Sequence, residues 1–221
     1  MARIAEDLLL LLLDNASAQP GLDPSRRGRV LAAAVLLDLA HGCLIRPAVD
    51  GDPVRAGRLV ALSVHGSPDP VLAPALNLLQ QRPLAPRTAV GRLRRHTEDA
   101  VLGHLERTHQ IGRAGPPGGR PQAWPLINRD RAANARSLLL SALFDRRPPT
   151  PTTAAIITLL HAADGLGALL SLNDRGWRWV HGRAGEIALG SWVDESRADP
   201  AAMTARINLA VTAAAVRPAL G

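Results

Sequence analysis

Residues 152–172 read TTAAIITLLHAADGLGALLSL, a stretch that is long and apolar enough to span a bilayer. His161 and Asp164 lie near its middle, however, and a charged group at bilayer depth costs roughly 2.5–3.5 kcal/mol on insertion scales. The stretch is therefore predicted to form the buried central helix of a soluble all-α core. The segment Asp164–Gly167, which contains two glycines, is a candidate position for a break in this helix.

The composition of the whole chain supports a helical fold. Of 221 residues, 47% are apolar and only 2% are aromatic, with one Phe, four Trp and no Tyr. A β-sandwich or barrel normally uses more aromatic and β-branched residues, whereas this composition favours helices. We expect a mainly α chain that forms a single globular helical domain over residues 1–221, with short peripheral β-hairpins.

Apolar periodicity and turn residues place the remaining elements. A β-hairpin is predicted between 43–46 and 59–64, and a second strand pair begins at Ile111 with a mobile Gly/Pro loop tip at 115–119. The expected helices, one of which starts at Asp23-Pro24-Ser25 and is capped by Gly42, are 4–13, 25–41, 69–80, 87–108, 132–144, 177–188 and 200–216.

The sequence contains no recognisable catalytic or metal-binding motif. All 26 basic residues are Arg, which excludes Lys-based catalysis, and the seven His residues are scattered. The single cysteine, Cys43, allows no internal disulfide and is expected to be a buried, inert thiol. We expect a cytoplasmic protein that is not an enzyme and has no cofactor, no metal and no catalytic residues.

Two clusters of arginine residues are the only groups of side chains in the sequence that suggest a binding site. Arg26, Arg27 and Arg29 open the second helix, where free backbone amides and the positive end of the helix dipole could seat a phosphate. Arg92 and Arg95 share one side of the predicted 87–108 helix, whereas Arg94 points about 160° away from Arg92. The alternative is a solvated basic face in an Arg-rich proteome.

The net charge of +7 also raises the question of nucleic acid. The residues after His41 are predicted to form a strand rather than a recognition helix, so no helix-turn-helix is evident. The few aromatic residues leave no stacking platform for RNA. Nucleic acid is therefore not an expected partner.

Five segments carry a family resemblance; in order along the chain they are AED with the following Leu run (5–14), LAAAVLLDLAHGCLI (31–45), VLGHLERTHQI (101–111), TAAIITLLH (153–161) and RAGEIALGSW (183–192). Together they resemble the Golgi phosphoprotein 3 family, in the form of its bacterial members. The resemblance implies an all-helical domain with small hairpins and a basic pocket for a phosphoinositide headgroup, which is phosphatidylinositol 4-phosphate in eukaryotic members. Those members act as adaptors that retain glycosyltransferases in the Golgi, a role that cannot transfer to a bacterium.

The resemblance carries over to individual positions only in part. The family pocket uses a Trp and an Arg around the start of the second helix and two Arg three apart in a later helix. Counted without gaps, these positions fall at Asp23, Ala32, Arg95 and Glu98, so only Arg95 matches. The 112–120 hairpin also lacks the apolar tip of the family.

The resulting expectation is a peripheral binding protein for phosphoinositide-like or other anionic phosphorylated headgroups. Its partner would be an anionic lipid headgroup or a phosphorylated small molecule, with reversible, salt-sensitive contact at the inner face of the membrane. One alternative is a regulatory protein that binds another protein and keeps the fold without the lipid site. Another, disfavoured by the absent acid/base constellation, is an enzyme that acts on a phosphorylated small molecule. The expected headgroup-binding residues, in order, are Arg95, Arg92, Arg29, Arg26 and Arg27.

Overall fold

The computed structural model describes residues 3–62, 69–115, 123–194 and 199–221. Within these ranges the chain is mainly helical, as predicted, and its one two-stranded antiparallel sheet pairs β1 (Ile45–Pro47) with β2 (Leu59–Ala61). The α-helices there are α1 (Arg3–Leu13), α2 (Pro24–His41), α3 (Ala73–Gln81), α4 (Pro86–Leu93), α5 (Thr97–Arg107), α6 (Arg129–Phe144), α7 (Pro151–Ala162), α8 (Asp174–Ala188), α9 (Ser191–Asp194) and α10 (Pro200–Val216).

The centre of the fold is formed by α1, α2 and α7, each of which packs against the other two. The predicted central helix is buried over residues 156–160, but α1 is the more deeply buried element. Nine of the eleven residues of α1 are buried, against eight of the twelve of α7. A helix that is apolar on nearly all sides suits this position, because α1 also packs against α5 and α6.

The apolar stretch breaks where its glycines suggested. α7 ends at Ala162 rather than continuing to residue 172, and Asp164 adopts a left-handed conformation with φ 50°. The Gly165 amide donates to the Leu160 carbonyl at 2.7 Å, and a single 3₁₀ turn, Leu166–Ala168, follows. The central helix is therefore shorter than predicted. Among the described residues, none of the helices combines the length and hydropathy that crossing a bilayer requires.

The end of α2 corrects the expectation for Cys43. Gly42 is the C-cap as predicted, but its φ is −76°, and the left-handed position is taken by Cys43 with φ 54°. The Leu44 amide reaches back to the Leu39 carbonyl at 2.8 Å, which closes the helix end. This turn carries Cys43 outward, so the thiol is exposed and the prediction of a buried thiol was wrong.

The second predicted strand pair is reduced to isolated bridges. Ile111 pairs with Leu126 and Ala114 with Ala123, without forming a continuous ladder among the described residues. The predicted mobile tip lies, apart from Gly115, outside those residues. The two strands of the first hairpin pair as predicted, although β1 begins at Ile45 rather than at residue 43 and extends to Pro47. β2 ends at Ala61, and residues 63 and 64 are not described.

Candidate functional site

The segment that carries the second arginine cluster is a corner between two helices. The predicted single helix over 87–108 was wrong: α4 ends at Leu93 and α5 begins at Thr97. The Thr97 hydroxyl donates to the Leu93 carbonyl at 2.9 Å across the corner. Glu98 and Asp99 then occupy the first turn of α5, where acidic side chains favour a helix start. Arg92 and Arg95 therefore do not share a face of one helix.

This corner lies directly against the start of α2. Gly28 makes the approach possible, because a Cβ atom at this position would lie only 2.8 Å from the Arg94 carbonyl oxygen. Gly28 is buried, so the contact is part of the packing between the two elements. The two arginine clusters, which are more than 60 residues apart in sequence, consequently meet in space.

An open hollow of about 380 Å³ lies between these elements, which we name the α2–α5 hollow. Arg94 and Arg95 both line it, and Arg92 does not, which reverses the sequence-based placement of Arg92 and Arg94. The reversal follows from the corner, because helical spacing does not hold across residues 94–96. The lining residues are Pro24, Ser25, Gly28, Arg94, Arg95, Glu98 and Asp99.

The two arginines of the hollow are available to a ligand. Arg94 and Arg95 are both exposed, and neither side chain forms a hydrogen bond or ion pair with any described residue. Arg92 is likewise exposed at the end of α4. Of the lining acids, Glu98 is paired with Arg27, and the carboxylate of Asp99 partly offsets the two positive charges.

Arg27 belongs to the packing rather than to the surface. Its Nε donates to Glu98 Oε1 at 2.8 Å, and its Nη1 donates to the carbonyl oxygens of Leu22 at 2.9 Å and Pro20 at 3.3 Å. Only 13% of the side chain is exposed. These bonds hold the loop before α2 against α5, and they account for a residue that the sequence suggested as a headgroup ligand.

Arg26 and Arg29 are more loosely held. Arg26 donates to the Asp164 carbonyl at 3.3 Å and lies 3.4 Å from the Asp23 carboxylate, with 43% of its side chain exposed. Arg29 donates to the Ser25 hydroxyl at 3.1 Å, while its Nε is buried with no hydrogen-bond partner among the described residues.

The amides at the start of α2 are already occupied by a carboxylate. Asp23 Oδ1 accepts hydrogen bonds from the Ser25 amide at 3.1 Å and the Arg26 amide at 3.0 Å. These hydrogen bonds lower the pKa of Asp23, and the bond from the Arg26 amide has the largest effect. An external phosphate would therefore have to displace Asp23, and the helix start suggested by the sequence is not a vacant anion site.

Of the four positions implied by the family resemblance, three have structural roles and one is available to a ligand. Asp23 caps α2, Glu98 pairs with Arg27, and Ala32 is fully buried in the core. Only Arg95 is both matched and exposed. Arg94 is the residue that the sequence reasoning missed; the acidic pair after Thr97 was the signal for a new helix start that would have revealed the corner.

The described residues contain no group of three or more His, Cys, Asp or Glu side chains that could hold a metal ion.

Comparison with known proteins agrees with the fold. No curated protein matches the chain closely enough to be counted as a relative. The family model described as Golgi phosphoprotein 3 (GPP34) matches residues 4–215, nearly the whole chain. The resemblance seen in the sequence motifs is thereby confirmed, and the chain belongs to the Golgi phosphoprotein 3 family.

Proposed function

We propose that this protein binds anionic phosphorylated headgroups at a membrane surface through Arg94 and Arg95. The observation that carries the proposal is that these two arginines both line the α2–α5 hollow with exposed and unpaired side chains. A guanidinium group suits phosphate because its planar fork donates two parallel hydrogen bonds. Phosphatidylinositol 4-phosphate is the headgroup that family membership suggests.

The surroundings of the hollow favour weak, salt-sensitive association. Arg92 is exposed beside the corner, and Arg26 is half-exposed at the start of α2, so further positive charge can face an anionic surface. Each basic residue near such a surface contributes about 1 kcal/mol at low ionic strength. Asp99 and Asp23 lie in the same region and oppose deep entry of a phosphate.

A second candidate function rests on a specific observation. Three of the four positions implied for the family pocket are a helix cap, an ion-paired glutamate and a core alanine. A chain that keeps the fold without the lipid site would act as a regulatory or interaction protein. The two functions differ in whether the wild-type chain binds anionic vesicles at all.

The test is sedimentation with three vesicle compositions: phosphatidylcholine alone, phosphatidylcholine with phosphatidylglycerol, and phosphatidylcholine with phosphatidylinositol 4-phosphate at matched surface charge. We expect binding to both anionic compositions and release at high salt. Stronger binding to the phosphoinositide than to phosphatidylglycerol would identify headgroup recognition rather than general charge.

Variants locate the binding. Arg94→Ala and Arg95→Ala are each expected to weaken vesicle binding about fivefold, as expected for about 1 kcal/mol. Arg175→Ala, at an exposed position on α8 that does not line the hollow, is the matched control. An equal effect of all three substitutions would contradict a site at the hollow. Absence of wild-type binding to every composition would favour the interaction protein.

A further inference from the structure

A second cavity lies away from the α2–α5 hollow. It has a volume of about 300 Å³ and is enclosed by α1, α6 and the start of α7, with His41 at the end of α2 on its border. We name it the α1–α6–α7 cavity. Its volume is at the lower end of the range of small-molecule sites, which runs from about 300 to 1,000 Å³.

One wall of the cavity is apolar. Leu11 of α1, Leu139 of α6 and Ile156 of α7 are buried in the core and line it, and Leu138 stands partly exposed at its edge. A molecule that enters the cavity can therefore remove a short hydrocarbon segment from water against these side chains.

A second wall is charged but internally neutralised. Arg131 Nε lies 2.6 Å from Asp7 Oδ1, and its Nη1 lies 2.6 Å from Glu6 Oε2. Burial raises the pKa of Asp7, and the nearby Arg131 opposes this rise. Because the three groups bond to one another, they fix α1 against α6. Asp7 and Arg131 are the two of them that line the cavity, and their opposite charges offset each other there.

Other polar groups on the cavity lack partners. His41, Asn134 and Thr152 all line it, and their side chains form no hydrogen bond with the residues that the structure describes. His41 is half-buried, and burial lowers its pKa, helped by the positive charges of Arg206 and Arg3. Arg3 also lines the cavity, and its positive charge favours a bound anion over a bound cation.

From this arrangement we infer that the α1–α6–α7 cavity binds a small molecule with one anionic group and a short apolar body. The anionic group, a carboxylate or a phosphate monoester, would accept hydrogen bonds from Thr152 and Asn134 and lie near His41. The hydrocarbon would lie against Leu11 and Ile156. This site is independent of the headgroup site at the α2–α5 hollow, because the two share no lining residue.

The test uses hexanoate and hexyl phosphate as probes, with hexylammonium as the charge-reversed control and inorganic phosphate as the control without hydrocarbon. Binding is followed by calorimetry and by NMR titration of the His41 imidazole, which is assigned with His41→Gln. We expect saturable binding of at least one hexyl anion and a rise in the His41 pKa, because an anion stabilises the imidazolium. Comparison of the two hexyl anions distinguishes a carboxylate ligand from a phosphate ligand.

Substitutions at the edge of the cavity connect this binding to the site. Leu138→Trp is expected to fill the cavity and weaken binding about tenfold, whereas Ser137→Trp, on the exposed neighbouring position of α6, should leave it unchanged. Thr152→Val, a smaller change that replaces the hydroxyl group with a methyl group, should weaken binding several-fold. Arg94→Ala and Arg95→Ala should not affect binding in this cavity. A failure of headgroup binding at the α2–α5 hollow can therefore be distinguished from a failure of binding in the α1–α6–α7 cavity.

Three results would each overturn the inference. The first is that neither hexyl anion binds the wild-type protein. The second is that hexylammonium binds as tightly as the hexyl anions. The third is that the anions bind with no change in the His41 titration and with equal affinity for Leu138→Trp.

Discussion

Arg27 and Glu98 join the start of α2 to the first turn of α5, with Arg27 Nε and Glu98 Oε1 2.8 Å apart. The two side chains are 13% and 20% exposed, so water screens the pair only weakly. Arg27 also donates to the Leu22 carbonyl. The pair supports the position of the corner that carries Arg94 and Arg95 without itself facing a ligand.

Arg27→Ala is therefore expected to lower the stability of the folded chain. Loss of the pair and its carbonyl bonds leaves Glu98 partly buried without its cation, which costs roughly 1.5–3 kcal/mol. Urea denaturation measures this change, and Arg92→Ala, at an exposed position, should stay within about 0.5 kcal/mol of wild type. Unchanged stability of Arg27→Ala would contradict the structural role.

Gly28→Ala should distort the same corner. The added Cβ would lie 2.8 Å from the Arg94 carbonyl oxygen, so α2 and the corner must move apart. We expect a loss of about 1–3 kcal/mol in the free energy of unfolding, as for other overpacked sites, together with weaker binding to anionic vesicles.

Gly91→Ala is the matched control for this substitution. A Cβ at Gly91, within α4, would meet no atom within 4 Å. Alanine there should stabilise the chain by about 0.5–1 kcal/mol through helix propensity. If both glycine substitutions stabilise the protein, the close approach at Gly28 is not a constraint.

Much of the fold could be predicted from sequence because its signals are local. Asp23-Pro24 marked the start of α2, and the two glycines after Asp164 marked the break after α7. The degree of burial of α1 was not predictable in this way. Its buried position results from contacts with α2, α5, α6 and α7, which are distant in sequence.

The candidate site was predictable only in part. The sequence indicated the arginine clusters that meet at the hollow. The prediction assumed one continuous helix through residues 94–96, however, and therefore placed Arg94 facing away from the site. The partners of Arg27 and the capping of α2 by Asp23 decide which charges are available. Both depend on tertiary or loop geometry that residue spacing does not contain.

The pair His161 and His181 should make stability fall in mild acid. Their Nδ1 atoms lie 3.5 Å apart, and burial, followed by the charges of His181 and Arg217, lowers the pKa of His161. A histidine pKa below its usual 6.5 in the folded state contributes stability above that pH, and the contribution is lost as the pH falls below it.

We therefore expect wild type to lose more stability than His161→Gln when the pH is lowered below about 6.5. Urea denaturation followed by circular dichroism is suitable, because the chain is mainly helical. His96→Gln, at an exposed position, is the control and should retain the wild-type pH dependence. Identical pH profiles for wild type and His161→Gln would refute this expectation.

Asp38 of α2 caps α1 from a neighbouring helix. Its two carboxylate oxygens accept hydrogen bonds from the Ile4 amide at 2.9 Å and the Ala5 amide at 3.0 Å, and the residue is 5% exposed. Burial raises the pKa of Asp38 to about 7, although the two amide hydrogen bonds oppose the rise. The folded chain therefore retains a proton on Asp38 at pH values where the unfolded chain has released it.

The last prediction concerns the pH dependence that this capping carboxyl produces. Because the folded pKa of Asp38 lies above the unfolded value of 3.8, its contribution to stability is fully present below 3.8 and is lost as the pH rises to about 7. At about 1.4 kcal/mol per pKa unit, the loss is at most about 4 kcal/mol. Asp38→Asn cannot titrate, so the stability of wild type relative to this variant should fall across that pH range in urea denaturation. Asp145→Asn, at the exposed end of α6, serves as the control. If the difference between wild type and Asp38→Asn instead grows with pH, the ionised carboxylate is the form that caps α1.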